Sequence, residues 1–345
     1  MTVANHSPES LSPATVRALR PARASLSPWQ HQGVVVEEER HRDGVRRTAT
    51  VFLTGAECPF TCVFCDLWRY TISGPTPRGA LPAQLRSALA EIRTDGGAAS
   101  DAVEQVKLYN ASNFFDPRAV PEEDDEELLR LLEPFARVTV ECHPRLVLGA
   151  RGRARWRVFA ERLSGSLEVA MGLETVHPRA SAAIAKDSDP ETFAAASEAL
   201  RAEGVGVRAF VLVGAPFVPA AEQVEWIVRS AGAAARAGAA VVSLVPVRGG
   251  NGALEVLARL GDFAPVTLGL VERSYECALV EVEAAFANTA VLLDTWDLQT
   301  LARHSPDGCE RCVGPRVERL RRISHRGRSE PAICCDCQRA GDRAP

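Results

Sequence analysis

One short loop with three cysteines constrains this chain more than any other stretch of its sequence. Cys58, Cys62 and Cys65 lie in the spacing C-x3-C-x2-C, directly after the strand-like run 48–54. Three thiolates on one loop can hold three irons of a [4Fe–4S] cube and leave the fourth iron open to a substrate or cofactor. A zinc site usually takes four ligands, and this loop has no nearby histidine. The spacing therefore favours a cluster, with a zinc loop or three incidental buried cysteines as the alternatives.

The composition of the 345-residue chain narrows the class of protein. Its hydrophobic content of 46% suffices for a large core, and its net charge of −4 gives no general signal for polyanion binding. No apolar run reaches the ~18 residues of a membrane span. The N-terminus also lacks the apolar core of a signal peptide. We therefore expect a cytoplasmic protein that has no membrane partner and keeps its ten cysteines reduced.

The N-terminal region divides into two parts. The first 28 residues are rich in Ser, Pro, Ala and Arg and contain one acid, Glu9. This composition is typical of a disordered tail, with a transit peptide as the alternative. A β-hairpin is predicted next, with arms at 33–41 and 45–54 around the turn Arg42-Asp43-Gly44.

Strand-like and helix-like segments alternate after the cysteine loop. The strand-like runs are 105–110, 137–142, 167–173, 205–213 and 240–247, and the helix-like stretches are 81–93, 122–135, 151–163, 190–203 and 220–237. With the run at 48–54, this order predicts six parallel strands in a wound α/β sheet. A long helix at 266–286 and a short strand at 289–293 follow.

The cysteine loop, with the aromatic Phe64 just before its third cysteine, resembles the signature of the radical S-adenosylmethionine (SAM) superfamily. The six β/α units match the partial (β/α)6 TIM-type barrel of that superfamily, here with an N-terminal hairpin and a C-terminal Cys-rich tail. The resemblance implies a [4Fe–4S] cluster on Cys58, Cys62 and Cys65, and SAM as a second cofactor with Phe64 beside its adenine. It also implies a one-electron reductant such as flavodoxin or ferredoxin. Chemistry in such barrels lies at the C-terminal ends of the strands.

Polar residues follow two of these strands. Asn110, Ser112 and Asn113 end the second strand, and the resemblance implies that they contact the amino group of SAM; a turn that caps the strand is the alternative. Glu141 and His143 end the third strand with the same parity and hence on one face. They are candidates for an acid–base pair or for substrate ligands, with a structural polar pair as the alternative.

The stretch 168–216 resembles the branch of the superfamily that includes coproporphyrinogen oxidases and the Elp3-type and MiaB-type enzymes. In that branch a Gln or Glu at the position of Glu174 meets SAM, and a basic residue at the position of Lys186 meets its carboxylate. Lys186 can neutralise that carboxylate in a partly dry cleft; an unpaired lysine on a solvated helix is the alternative. The runs 140–144, 172–175 and 243–247 further resemble the archaeosine-tRNA radical SAM enzyme, which works on a modified lysine attached to a tRNA base. His143 stands where that family has an arginine.

The last forty residues contain five more cysteines. Cys309-x2-Cys312 and Cys334-Cys335-x-Cys337 flank a basic stretch at 311–328. The two groups predict a second metal site, either zinc or an auxiliary iron–sulfur cluster, with free thiols as the alternative. The basic stretch could meet RNA phosphates, although a solvated face is the simpler interpretation.

These observations predict a radical SAM enzyme. It would cleave SAM reductively to a 5′-deoxyadenosyl radical that takes hydrogen from an unknown substrate, with a modified tRNA base as one candidate. The alternatives are a non-catalytic iron–sulfur or zinc protein that binds RNA, and an electron-transfer protein. The predicted division is a disordered tail (1–28), a barrel with its hairpin (29–250), an α/β cover (251–303) and a metal-binding tail (304–345).

Overall fold

The fold is a single nearly closed sheet, seen in a computed structural model that describes residues 11–95, 102–335 and 337. Within these residues eight strands follow one another across the sheet in chain order. They are β1 (Gly33–His41), β2 (Gly44–Phe52), β3 (Gln105–Tyr109), β4 (Arg137–Glu141), β5 (Ser166–Glu174), β6 (Gly206–Val213), β7 (Val241–Pro246) and β8 (Ala290–Leu293). β1 and β2 are antiparallel, and every later pair of neighbours is parallel. The predicted α/β partial barrel with an N-terminal hairpin is confirmed.

The parallel part of this sheet has one strand more than the six predicted. β8 pairs with β7, with Ala290 opposite Val241, so the short strand near the end of the chain extends the barrel. β1 also lies near β8: Nη2 of Arg40 in β1 donates a 2.8 Å hydrogen bond to the carbonyl of Val291 in β8. The hairpin therefore lies beside the gap between the first and last parallel strands.

Helices join most of the strands and cover the outside of the sheet. They are α1 (Pro13–Leu19), α2 (Ala80–Asp95), α3 (Asp125–Leu132), α4 (Pro144–Leu148), α5 (Ala150–Arg162), α6 (Pro178–Ala183), α7 (Pro190–Arg201), α8 (Gln223–Arg236), α9 (Ala253–Leu260), α10 (Leu268–Ala285), α11 (Leu298–His304) and α12 (Glu310–Arg326). Local chemistry sets several of the starts. Before α7, for example, the Asp189 carboxylate accepts a 2.7 Å hydrogen bond from the Thr192 amide, and Pro190 occupies the first turn.

Buried charges fill the end of the barrel where the parallel strands begin. Lys107, Glu168 and Arg208 are each the third residue of a strand, and all are buried. Arg208 pairs with Glu39 at 2.6 Å and with Glu168 at 2.9 Å, and Lys107 pairs with Glu39 at 2.7 Å. Each charge has an opposite partner, as burial requires. This end is therefore filled with side chains, which leaves the C-terminal ends of the strands for a site.

The N-terminal segment differs from the predicted disordered tail. Residues 1–10 lie outside the described residues, but α1 forms within this segment, with Ser12 as its N-cap. Val16 is buried in the core, and Leu11 and Leu19 pack against it. These three apolar side chains attach a short helix to the barrel, and the Ser- and Pro-rich composition of the segment did not indicate it.

The basic stretch of the tail is partly internal, because two of its seven arginines are buried and the other five are exposed. Most of it forms α12, where Arg316 and Arg319 are 1% and 2% exposed. Arg316 pairs with Glu272 at 2.6 Å, and Arg319 pairs with Glu276 at 2.7 Å. These two guanidinium groups join α12 to α10 and are not available to RNA phosphates.

Among the described helices, none combines the length and the apolarity that a membrane crossing demands.

Candidate active site and metal centres

The cysteine loop lies at the C-terminal edge of the sheet, directly after β2. Cys58, Cys62 and Cys65 are free and half-buried. Among the described residues, one group of possible metal ligands has all its ligand atoms within 4.8 Å of one another. Cys58, Cys62 and Cys65 do not belong to that group. A four-iron cube binds each thiolate through a different iron, so its sulfurs stand farther apart than those around a single ion. At least one of the three sulfur separations in the loop exceeds 4.8 Å, which fits a cluster better than one zinc ion.

Polar side chains from two other strand ends hold this loop in place. After β3, Asn113 donates from Nδ2 to the sulfur of Cys58 over 3.2 Å, and its Oδ1 accepts a 2.7 Å bond from the His143 amide. After β7, Asn251 donates from Nδ2 to the carbonyl groups of Val63 and Cys65, at 2.8 and 3.3 Å. The loop is therefore built into the barrel rim.

The N-terminal segment adds a third support. Arg20 and Arg23 both pair with Glu57, the residue before the first cysteine, at 2.6 and 3.0 Å. Arg23 also donates to the Trp68 carbonyl and to the Thr71 hydroxyl, at 3.1 and 2.9 Å. Sequence reasoning missed these arginines and Asn251, because no local pattern marks a contact between distant loops.

The thiols of the loop are hard to ionise in this environment. Burial raises the pKa of Cys62 to about 12 and also raises the pKa values of Cys58 and Cys65. The Lys186 ammonium acts in the opposite direction on Cys58 and Cys62. Because thiolates are the metal-binding form, the loop needs additional positive charge to ionise, and bound iron would supply it.

Glu174 and Lys186 form a buried ion pair beside the loop, with 2.6 Å between Oε1 and Nζ. Burial alone would lower the pKa of Lys186, but Glu174 and then Cys62 outweigh it, so that the pKa is raised. Gly172 makes room for the pair, since a Cβ atom there would overlap both side chains. Ala185 and Asp187, on either side of Lys186, have φ angles of 54° and 59°. Such backbone strain is common at functional sites.

The end of β3 contains polar atoms that lack partners. Asn110 is fully buried, yet within the described residues neither Nδ2 nor Oδ1 has a hydrogen-bond partner. The same holds for Oγ of Ser112 and Oε1 of Glu141. An unmet buried polar group costs about 1–3 kcal/mol. Four such atoms on two neighbouring strand ends are therefore what a polar ligand would satisfy.

Glu141 and His143, predicted as a pair, have different environments. Burial raises the pKa of Glu141 to about 7, although the backbone N–H groups of residues 110–112 act against it. Burial, followed by the charge of Lys186, lowers the pKa of His143 to about 3. Nε2 of His143 donates to the Lys186 carbonyl at 2.9 Å, and Nδ1 accepts from the Arg145 amide at 3.2 Å. A neutral ring with both nitrogens occupied positions the Lys186 segment; the structure does not favour an acid–base role for it.

Aromatic rings border the same end of the barrel. Phe60 of the cysteine loop stacks on His143 with 3.7 Å between ring centroids. Phe64, predicted to lie beside adenine, is half-buried and packs on the core. Phe52 and Tyr109, the last residues of β2 and β3, lie with their ring centroids 6.4 Å apart. These rings give the rim an apolar wall next to the polar atoms of β3 and β4.

The tail cysteines form the compact group. The sulfurs of Cys309, Cys312, Cys335 and Cys337 all lie within 4.8 Å of one another. Cys334, predicted as a ligand with them, is exposed, and its sulfur lies 3.9 Å from the carbonyl of Ala332. The structure thus brings together four of the five predicted tail ligands.

Comparison with known proteins gives likenesses of structure but none of sequence. No family model matches the chain, and no curated protein does. Elp3 from Methanocaldococcus infernus is 14% identical over 60% of this chain and 51% of its own, with a TM-score of 0.47. The radical SAM enzyme coproporphyrinogen III oxidase (HemN) from Escherichia coli is 17% identical over 70% and 52%, with a TM-score of 0.42. Methylornithine synthase (PylB) is 13% identical over 97% of both chains, with a TM-score of 0.39.

The chain spans about half the length of the Elp3 and HemN structures. At these identities and TM-scores the likenesses carry no functional conclusion. Function has to rest on the residues of the chain itself.

Proposed function

We propose that this chain is a radical SAM enzyme in which Cys58, Cys62 and Cys65 hold a [4Fe–4S] cluster. The observation that carries the proposal is the position of the loop. Three free thiols lie at the C-terminal rim of a partial barrel, beside four buried polar atoms without partners among the described residues. A cluster there would supply the electron for reductive cleavage of SAM to a 5′-deoxyadenosyl radical, which abstracts hydrogen from substrate.

The residues of the rim have distinct tasks in this proposal. Lys186 offers a buried cation to the carboxylate of SAM, and Glu174 keeps that cation in place at 2.6 Å. Asn110 and Ser112 offer unoccupied polar atoms to the amino group of SAM. Phe64 is proposed to lie against the adenine. Asn113, in contrast, already bonds to Cys58 and to the His143 amide, so we assign it to the support of the loop.

Glu141 is the residue best suited to handle a proton on the substrate side. Its pKa of about 7 lets it both hold and release a proton near neutral pH. His143 stays neutral under the same conditions and acts by positioning. A modified tRNA base stays one candidate substrate, and a flavodoxin or ferredoxin the candidate reductant. Arg316 and Arg319 are paired inside the tail, so an RNA-binding surface on α12 would have to use exposed arginines such as Arg321, Arg322 and Arg326.

The experiment is anaerobic reconstitution followed by iron analysis and EPR of the reduced protein with and without SAM. We expect about four irons per chain at the rim and a signal that SAM shifts. Cys62→Ala should abolish SAM cleavage. Cys277→Ala, which changes a half-buried cysteine of α10, is the matched control and should leave cleavage intact. Full cleavage by the Cys62 variant, or a cluster that does not respond to SAM, would refute the proposal.

A further inference from the structure

The sulfur atoms of the tail cysteines are spaced like the ligands of a single metal ion. The sulfur of Cys309 lies 3.8 Å from that of Cys312 and 3.6 Å from that of Cys335. The sulfurs of Cys312 and Cys337 are also 3.6 Å apart. A tetrahedron of thiolates with Zn–S bonds of about 2.3 Å has edges of about 3.8 Å. The three separations match those edges, whereas a four-iron cube would place each sulfur on its own iron and hold them farther apart.

We propose that Cys309, Cys312, Cys335 and Cys337 bind one structural Zn²⁺ ion. All four positions of the tetrahedron are filled by protein, as in closed structural sites, and no position is left for a substrate. Cys334 is excluded because its exposed side chain lies against the carbonyl of Ala332 rather than the other sulfurs. The site is separate from the cysteine loop at the rim, and its existence does not depend on the proposed enzymatic function.

The N-terminal end of α12 can stabilise the negative charge of four thiolates. Cys309 is the N-cap of this 17-residue helix, and its amide donates a 3.3 Å hydrogen bond to the Cys312 sulfur. The N-terminal end of a helix favours anions. The guanidinium group of Arg316, one turn further along and paired with Glu272, also lies near Cys312. Backbone dipoles and a guanidinium group therefore offset the two negative charges that remain when four thiolates bind Zn²⁺.

The ion would fasten the last described residues to the barrel. Of the ten described residues in 327–337, five are exposed and five are half-buried, and none adds a side chain to the buried core. Their other contacts with α12 are polar: Arg319 donates to the carbonyl groups of Glu330 and Pro331 at 2.6 and 2.8 Å, and the Glu330 carboxylate pairs with Arg322 and Arg326 at 2.9 and 3.0 Å. Because Cys335 and Cys337 meet Cys309 and Cys312 across this segment, the ion closes a loop that packing alone does not hold.

The test is zinc and iron analysis of the full-length chain and two sets of variants. We expect about one zinc per chain in the parent protein, in Cys334→Ser and in the triple variant Cys58→Ala, Cys62→Ala and Cys65→Ala. The double variant Cys309→Ser and Cys335→Ser should lose zinc and keep the iron of the rim. Zinc-edge absorption on the parent protein should show four sulfurs at about 2.3 Å, which tests the site even if the double variant does not fold.

Three results would overturn the assignment: iron in the tail in place of zinc, no metal in the tail, or zinc retained by the double variant. Failure of the radical SAM proposal would look different. In that case the parent protein would lack the rim iron or the SAM response while still carrying one zinc.

Discussion

The raised pKa of Glu141 makes a quantitative prediction about stability. Burial moves the pKa of this carboxyl from 4.5 to about 7 in the folded protein. In that interval the folded state holds a proton that the unfolded state has released. The contribution of Glu141 is therefore most favourable below pH about 4.5 and is lost as the pH rises through about 7. At about 1.36 kcal/mol per pH unit, the whole difference is roughly 3 kcal/mol.

Glu141→Gln removes this titration and keeps the size and the acceptor oxygen of the side chain. We expect the free energy of unfolding of the variant, relative to the parent protein, to rise by roughly 2.5 kcal/mol between pH about 5 and about 8. The assay is urea unfolding of the metal-free protein at a series of pH values. Glu198→Gln, at an exposed position of α7, is the matched control and should show no such trend.

A flat difference between Glu141→Gln and the parent protein would refute the reasoning. It would mean that the carboxyl ionises in the folded protein as it does in water. The proposal that Glu141 holds a proton near neutral pH would then be wrong.

Three further predictions concern the contacts around the cysteine loop. Lys186→Met leaves Glu174 buried without its cation and should cost about 3–5 kcal/mol of unfolding free energy, most of which adding Glu174→Gln should restore; no recovery would contradict the pairing. Arg23→Ala should speed alkylation of the loop thiols in the metal-free protein several-fold, whereas Arg17→Ala, on the exposed side of α1, should not. Asn113→Ala removes a hydrogen bond to the Cys58 sulfur and should lower the midpoint potential of the bound cluster, measured by potentiometric EPR. An unchanged potential would show that this bond is absent when the cluster is bound.

Much of the fold could be predicted because its signals are local. The alternation of apolar β-rich runs with helical periodicity yields the strand order, and in a parallel sheet that order decides which strand ends become neighbours. The strand order places Glu141 at the rim, although its pKa depends on burial, which a sequence does not show. Glu174 and Lys186, twelve residues apart, are assigned to one site by the resemblance to a branch of the radical SAM superfamily, and their side chains lie 2.6 Å apart.

The missing parts of the prediction have a common physical cause. Asn251, Arg20 and Arg23 act on the cysteine loop through contacts between segments that are far apart in the sequence and follow no repeat. The buried charges inside the barrel did leave a signal. Lys107 and Arg208 are the single charged residues of β3 and β6, whereas polar residues would alternate along a strand with one solvated face. Such isolated charges indicate partners inside the barrel.

Protein contacts hold the rim loop, whereas the proposed zinc ion holds the end of the tail. Removal of metal should therefore affect the two cysteine groups differently. The rim loop is fixed by Asn113, Asn251 and the arginine contacts to Glu57, all of which join groups of the protein itself. Loss of the cluster should therefore leave the barrel folded and its thiols protonated. The described residues of 327–337 add no side chain to the core and meet α12 through the polar contacts of Glu330 and Pro331, so under the zinc proposal the order of Cys335 and Cys337 depends on Zn²⁺ binding. A chelator that takes the zinc but not the cluster should make this segment sensitive to protease while SAM cleavage continues, because α12 stays attached to α10 through Arg316 and Arg319.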